Sequence, residues 1–268
     1  NERIKIAKKF SNMQEVFESG LDQTEGAGFG LILVLLMLRK FGLDERVIKL
    51  ANTDKFTQFQ LHFPINLLDR EKGDVIAEEV IKEVEEIPQF PEQVLRLMSM
   101  LNDPNCNFDE VSDIIKKDAS LIADLLKTAN STMYMLPKKV ESIDEAVRFV
   151  GLTGIKNLVL SYSTNKILMN KYNLDVVQDI MNHSREATFY AYSLAKLTKD
   201  KNIMDNSYIC AILHDFGKII INSIKPEIME KIRKVCSLKG VNNFVAESLT
   251  DGYNHSIIGA KLAEKWKF

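Results

Sequence analysis

Four side chains in this sequence have the types and spacing to act together: His183, His214, Asp215 and Lys218. Imidazole nitrogen and carboxylate oxygen are ligands for divalent metals, so the His214-Asp215 doublet with His183 about thirty positions upstream forms the skeleton of a metal site. An ion held there would act as a Lewis acid and activate a bound water, and Lys218 lies one turn past His214. The skeleton is incomplete for hydrolysis, which needs another carboxylate on the metal and an open position for water. The same residues also admit a plainer reading, in which two polar side chains fix helix packing without an ion and Lys218 is a solvated helix end. His255, ahead of the apolar positions Ile257, Ile258 and Leu262, is either a further ligand or a first-turn residue satisfied by backbone.

These residues fall in a chain whose later part is punctuated as helices. Pro91 suits the first turn of a helix carrying Val94, Leu95, Met98 and Leu101, and Asp103-Pro104 closes it, because the residue before proline is pushed out of the helical region. Ser142-Ile143-Asp144-Glu145 fits a capping box, while Gly151 and Gly154 mark a break before the apolar stretch Ile155 to Leu168. At least eight helices are expected beyond Pro88, with no internal repeat. Asn130 stands near a helix end, where it can satisfy orphan backbone groups or take a left-handed cap. Neighbouring residues on a helix diverge by about 100°, so His214 and Asp215 can share an ion only if another helix, the one bearing His183, supplies ligands.

The front of the chain reads differently. A glycine-punctuated apolar run from Gly26 to Phe41 predicts a helix, followed by a hairpin whose second strand alternates Phe59, Leu61 and Phe63 with Gln58, Gln60 and His62. His62 belongs to the polar, solvent-facing side and Phe29 to Leu38 to the core. From Asp69 to Glu86, dense acidic residues with Ile76, Val80, Val84 and Ile87 at helical spacing suit an amphipathic connecting helix.

The bulk numbers exclude several classes. Thirty-five basic against 37 acidic residues give a formal charge of -2, so no strong field draws the molecule to nucleic acid or anionic lipid. The basic stretch Lys225 to Lys239 has too few aromatics for a nucleic-acid platform. Cys106, Cys210 and Cys236 are odd in number and widely spaced, which argues against disulfides and thiolate zinc sites. The longest uncharged stretch, Gly26 to Leu38, falls short of the roughly 20 residues needed to span a bilayer. A cytoplasmic protein without an anchor is expected, and neither a Ser-His-Asp pattern nor a Walker-type loop is signalled.

The segment from Ile87 to Phe268 resembles the HDOD family of bacterial signalling proteins, a branch of the HD superfamily. The resemblance rests on Ile87-Pro88-Gln89-Phe90-Pro91, Asp118-Ala119-Ser120-Leu121, Leu125 to Ser131, Ser142-Ile143 with Ala146 and Val150-Gly151. It continues through His183-Ser184, Leu213-His214-Asp215-Phe216-Gly217-Lys218, Glu247, His255, Gly259-Ala260 and Trp266. It implies a mainly α, multi-helical HD-like domain over 87–268 that commonly serves as a signal-output or scaffolding module. His183, His214 and Asp215 match the metal-ligand positions of active HD phosphohydrolases, and His255 is similar to a further histidine of the HD-GYP branch. The closing aspartate has no clear counterpart, Asp251 and Glu264 being the only nearby candidates.

Residues 1–66 resemble, more weakly, the final third of a histidine-kinase-like ATPase domain, through Val16-Phe17-Glu18, Glu25-Gly26-Ala27-Gly28-Phe29-Gly30-Leu31 and Phe63-Pro64-Ile65. The asparagine-bearing helix and adenine-contacting aspartate segment of such a domain are absent, so nucleotide binding is not expected; either the chain begins partway through a larger protein or the segment is a relic. The organisation expected is therefore a truncated ATPase-like α/β segment over 1–66, a linker helix over 67–86 and the helical domain over 87–268. The leading expectation is a non-catalytic regulatory module acting through protein partners, with no cofactor, membrane or nucleic acid. The alternative is a metal-dependent phosphohydrolase acting on a nucleotide or cyclic dinucleotide.

Overall fold

A computed structural model describes residues 2–19, 29–52, 55–62, 76–103, 105–131, 134 and 136–267. Among them the order is α1 (Glu2–Ala7), α2 (Met13–Glu18), α3 (Phe29–Lys40), a 3-10 turn (Glu45–Val47), β1 (Ile48–Asn52), β2 (Thr57–Leu61), α4 (Glu78–Glu86), α5 (Glu92–Leu101), α6 (Phe108–Ile115), α7 (Ala119–Ala129), α8 (Ile143–Lys171), α9 (Leu174–Thr198), α10 (Lys201–Leu213), α11 (Phe216–Ile224), α12 (Pro226–Lys239), α13 (Asn243–Ser248) and α14 (His255–Lys265). The fold is mainly α, as expected, with a small helix-plus-hairpin segment in front. Gly26 to Gly28, Phe63 and the stretch from Asp69 to Val75 lie outside the described residues, so the acidic connecting helix is described only as α4.

The chain divides into two compact units, residues 1–82 with 220–258, and residues 83–219 with 259–268. In the first, α3 buries Phe29, Ile32, Leu35, Leu36 and Leu38, the apolar run assigned to core. β1 and β2 pair antiparallel with Ile48 opposite Leu61 and Asn52 opposite Thr57, and His62 is exposed. Asn12 caps α2 through Glu15 N–H at 3.0 Å. The same segment holds the loop after α13: Met13 N–H donates to Leu249 O (2.9 Å), Asp251 N–H to Gln14 Oε1 (3.1 Å), and Asn12 Nδ2 to Asp251 Oδ2 (2.5 Å). Gly252 in that loop has φ +91, and a Cβ there would stand 2.1 Å from Ala77 N, so only glycine allows this approach of two backbones.

The second unit is built on α5 to α8, whose inward faces supply Leu97, Val111, Ile115, Leu125, Ile155 and Leu158 to one core. Ser142 Oγ accepts from Glu145 N–H (3.2 Å), and the Glu145 carboxylate reaches back to Glu141 N–H (3.1 Å), so the box anticipated at the start of α8 forms with its return bond one residue early. The break in α8 falls at Gly151 alone (φ 76, ψ 171). Gly154 is helical and serves close packing instead, a Cβ there lying 2.2 Å from Val150 Cγ1. Asn130 ends α7 without turning left-handed (φ -80). Its amide donates to Leu126 O and Val140 O, and its oxygen accepts Val140 N–H, each at 2.8 Å. Trp266 closes the unit, with Nε1 donating to Pro88 O (3.1 Å) and its ring 5.0 Å from Phe90.

Candidate metal-type centre

Helices α9 and α10 are joined by two residues only, Lys199 in the left-handed region and Asp200, whose carboxylate caps α10 through Asn202 and Ile203 N–H. So short a link makes them antiparallel neighbours. His183 lies 15 residues before the end of α9 and His214 13 residues after the start of α10, or about 22 Å and about 20 Å at the helical rise. The two arms thus bring both imidazoles to the same level, and their ring centroids stand 5.2 Å apart.

The doublet itself is not helical throughout. α10 ends at Leu213, His214 and Asp215 form the turn, and α11 begins at Phe216. His214 Nδ1 lies 2.7 Å from Ala211 O. A carbonyl oxygen can only accept, so Nδ1 carries a hydrogen and Nε2 is the nitrogen turned toward Asp215. That Nε2 is 3.4 Å from Asp215 Oδ1, and His183 Nε2 is 3.6 Å from Asp215 Oδ2. Gly259 on α14 backs the turn, its Cβ position falling 3.6 Å from Gly217 N and 3.8 Å from Leu213 O.

His183, His214 and Asp215 therefore meet, with one donor atom from each lying within 4.8 Å of the others. Asp215 is buried, His214 half-buried and His183 exposed. Lys218 also arrives, placing Nζ 2.8 Å from Asp215 Oδ2. His255 goes elsewhere, its Nδ1 against the buried Glu247 carboxylate, which also accepts His255 N–H at 2.9 Å. Glu247 is fully buried, and its pairing has no signal in local spacing. Among the candidate closing carboxylates, Asp251 is held by Asn12 and exposed Glu264 by Lys261 at 2.8 Å.

Two imidazoles and one carboxylate at these separations suit a nitrogen-preferring divalent ion as three of its ligands. The same carboxylate also faces the Lys218 ammonium. The residues thus fit a metal in donor type and spacing, with the Lys218 ammonium on the same carboxylate, and no reaction step is assigned to one.

A family model of the HDOD domain matches residues 87–268. An uncharacterized protein of Treponema pallidum (strain Nichols) is 30% identical over 260 residues, covering 97% of this chain and 50% of its own length, so the chain spans about half of the curated relative it matches. A crystal structure of an HDOD domain protein with unknown function from Geobacter sulfurreducens superposes with a TM-score of 0.57 at 25% identity, covering 71% of this chain and 66% of that one. A provisionally named phosphohydrolase from Shewanella amazonensis SB2B does so with a TM-score of 0.57 at 25% identity, covering 72% and 68%.

Proposed function

We propose, from the premise that this chain belongs to the HDOD family, that its helical domain over 87–268 is a non-catalytic regulatory module of bacterial signal transduction that works through protein contacts. The observation that carries this reading is the Lys218 ammonium on Asp215. An ammonium and a divalent cation compete for one carboxylate, and like charges in a partly buried site repel strongly. No second carboxylate joins His183, His214 and Asp215 among the described residues. Residues 1–66, joined through 67–86, are the part we assign to input, supported by their resemblance to the end of a histidine-kinase-like ATPase domain.

A second reading, the metal-dependent phosphohydrolase, draws on the donor spacing and on the phosphohydrolase name carried by the Shewanella relative. Elemental analysis of the chain purified without chelator separates the two. The regulatory reading expects substoichiometric zinc, iron and manganese and no hydrolysis of a phosphodiester such as bis(p-nitrophenyl) phosphate when these metals are added. A stoichiometric metal that is lost in His214→Ala, together with diester cleavage, would establish the hydrolase instead.

A further inference from the structure

Away from the metal-type cluster, three side chains form a row that runs from core to solvent. Glu247, in the last turn of α13, is fully buried, His255 at the start of α14 is 9% exposed, and Ser256 beside it is exposed. His255 Nδ1 lies against Glu247 Oε2, and Ser256 Oγ stands 3.2 Å from His255 Nε2. A carboxylate can only accept, so Nδ1 carries a hydrogen. The neutral ring then keeps its lone pair on Nε2, where it accepts from the Ser256 hydroxyl. Carboxylate, imidazole and hydroxyl in that order are the elements of an activated nucleophile.

The surroundings hold the row in place. Asn254 Oδ1 accepts the N–H groups of Ser256 (2.9 Å) and Ile257 (3.3 Å), which sets the first turn of α14, and Glu247 Oε2 accepts His255 N–H (2.9 Å). Thr250 Oγ1 donates to Glu247 O (2.6 Å) and accepts Tyr253 N–H (3.3 Å), bracing the loop between the two helices. Glu247 Oε1 has no hydrogen-bond partner among the described residues. A buried carboxylate left half-satisfied beside a neutral ring is unfavourable, and becomes less so when the imidazole takes up a proton, which is what drawing the Ser256 proton does. The N–H groups of His255 to Ile258 are all engaged, the last by Asn254 O (3.1 Å), so this turn has no donor left for an oxyanion. Such a nucleophile suits an acyl donor that already carries a good leaving group.

We propose that Ser256 is an acylation site for activated acyl donors of the ester, thioester or acyl phosphate class. Ser256 Oγ forms a bond to the acyl carbon, the bond from that carbon to the leaving oxygen or sulfur breaks, and the hydroxyl proton passes through His255 Nε2 to the leaving group. His255 is the base, and Glu247 is a positioning residue that holds the ring. Taking up one acyl group per chain is a modification rather than turnover, and it requires no metal at His183, His214 and Asp215.

Treating the full chain with p-nitrophenyl acetate tests this. A burst of one equivalent of p-nitrophenolate per chain is expected, with peptide mass mapping placing the acetyl group on Ser256. Ser256→Ala should abolish the burst and leave helical circular dichroism unchanged, because the side chain is exposed. Glu247→Gln should slow the burst by at least about a hundredfold, since an amide that donates to Nδ1 leaves the ring in the other tautomer. The parent burst should be slower in heavy water, as a general-base step is, and Glu247→Gln should lose that dependence. A burst that survives Ser256→Ala, or an acetyl group found only on lysines, overturns the proposal, as does a folded Glu247→Gln chain that acylates at the parent rate.

Discussion

Asn130→Ala removes one side chain and three hydrogen bonds. The amide donates to the carbonyls of Leu126 and Val140 and its oxygen accepts Val140 N–H, all at 2.8 Å, so α7 is stitched to the irregular stretch before α8. Val140 is 1% exposed. Water therefore has poor access to the two backbone groups left behind, and the loss should sit at about 1 kcal/mol per bond, or about 3 kcal/mol in all. For a domain of this size about 1 kcal/mol shifts the melting temperature by about 2–4 °C, giving an expected drop of about 6–12 °C. Thermal unfolding followed by circular dichroism measures it, and hydrogen exchange at Val140 N–H locates it. Asn130→Asp keeps the acceptor but aims a carboxylate at two carbonyl oxygens, so its melting temperature should fall at least as far. A drop of under about 2 °C for Asn130→Ala would refute the reasoning, because that is what a solvated helix end would lose.

Lys218→Met should raise zinc or manganese uptake at His183, His214 and Asp215 by at least about tenfold, since a cation then replaces the ammonium as the partner of Asp215; isothermal titration with the metal alone checks this. Gly252→Ala should cost more than about 2 kcal/mol in urea unfolding, because φ +91 and a 2.1 Å approach to Ala77 N penalise any Cβ. Trp266→Ala should cost about 3–5 kcal/mol, through lost packing on Phe90 and the bond to Pro88. Burial raises the Tyr134 phenol, and burial together with Glu83 raises Tyr172. A raised folded pKa means stability that is intact below about pH 10 and declines as the pH climbs further, so an alkaline unfolding limb is expected and should soften in Tyr172→Phe.

The metal-type cluster was legible because its distances along the chain match the arms of a two-residue helical hairpin. Asn130 and Ser142 were legible as caps for a similar reason: their partners are local or nearly so. Lys218 was placed one turn along from His214, but its choice of Asp215 depends on the turn between α10 and α11, which apolar periodicity reads as continuous helix. Gly151 and Gly154 looked alike in sequence, and only the backbone shows that one reverses direction while the other makes room for Val150. The engagement of Asp251 by Asn12 joins residues 239 apart. No local pattern encodes such a pairing.

The meeting of Gly252 with Ala77 involves main chain on both sides. Ala77 contributes its amide, which almost any amino acid could supply, whereas position 252 tolerates no substituent at all. Homologues that keep this crossing should therefore retain the glycine while drifting freely at its counterpart, leaving no correlated substitutions to betray the contact. A method that infers proximity from paired changes would pass over one of the tightest junctions in the unit.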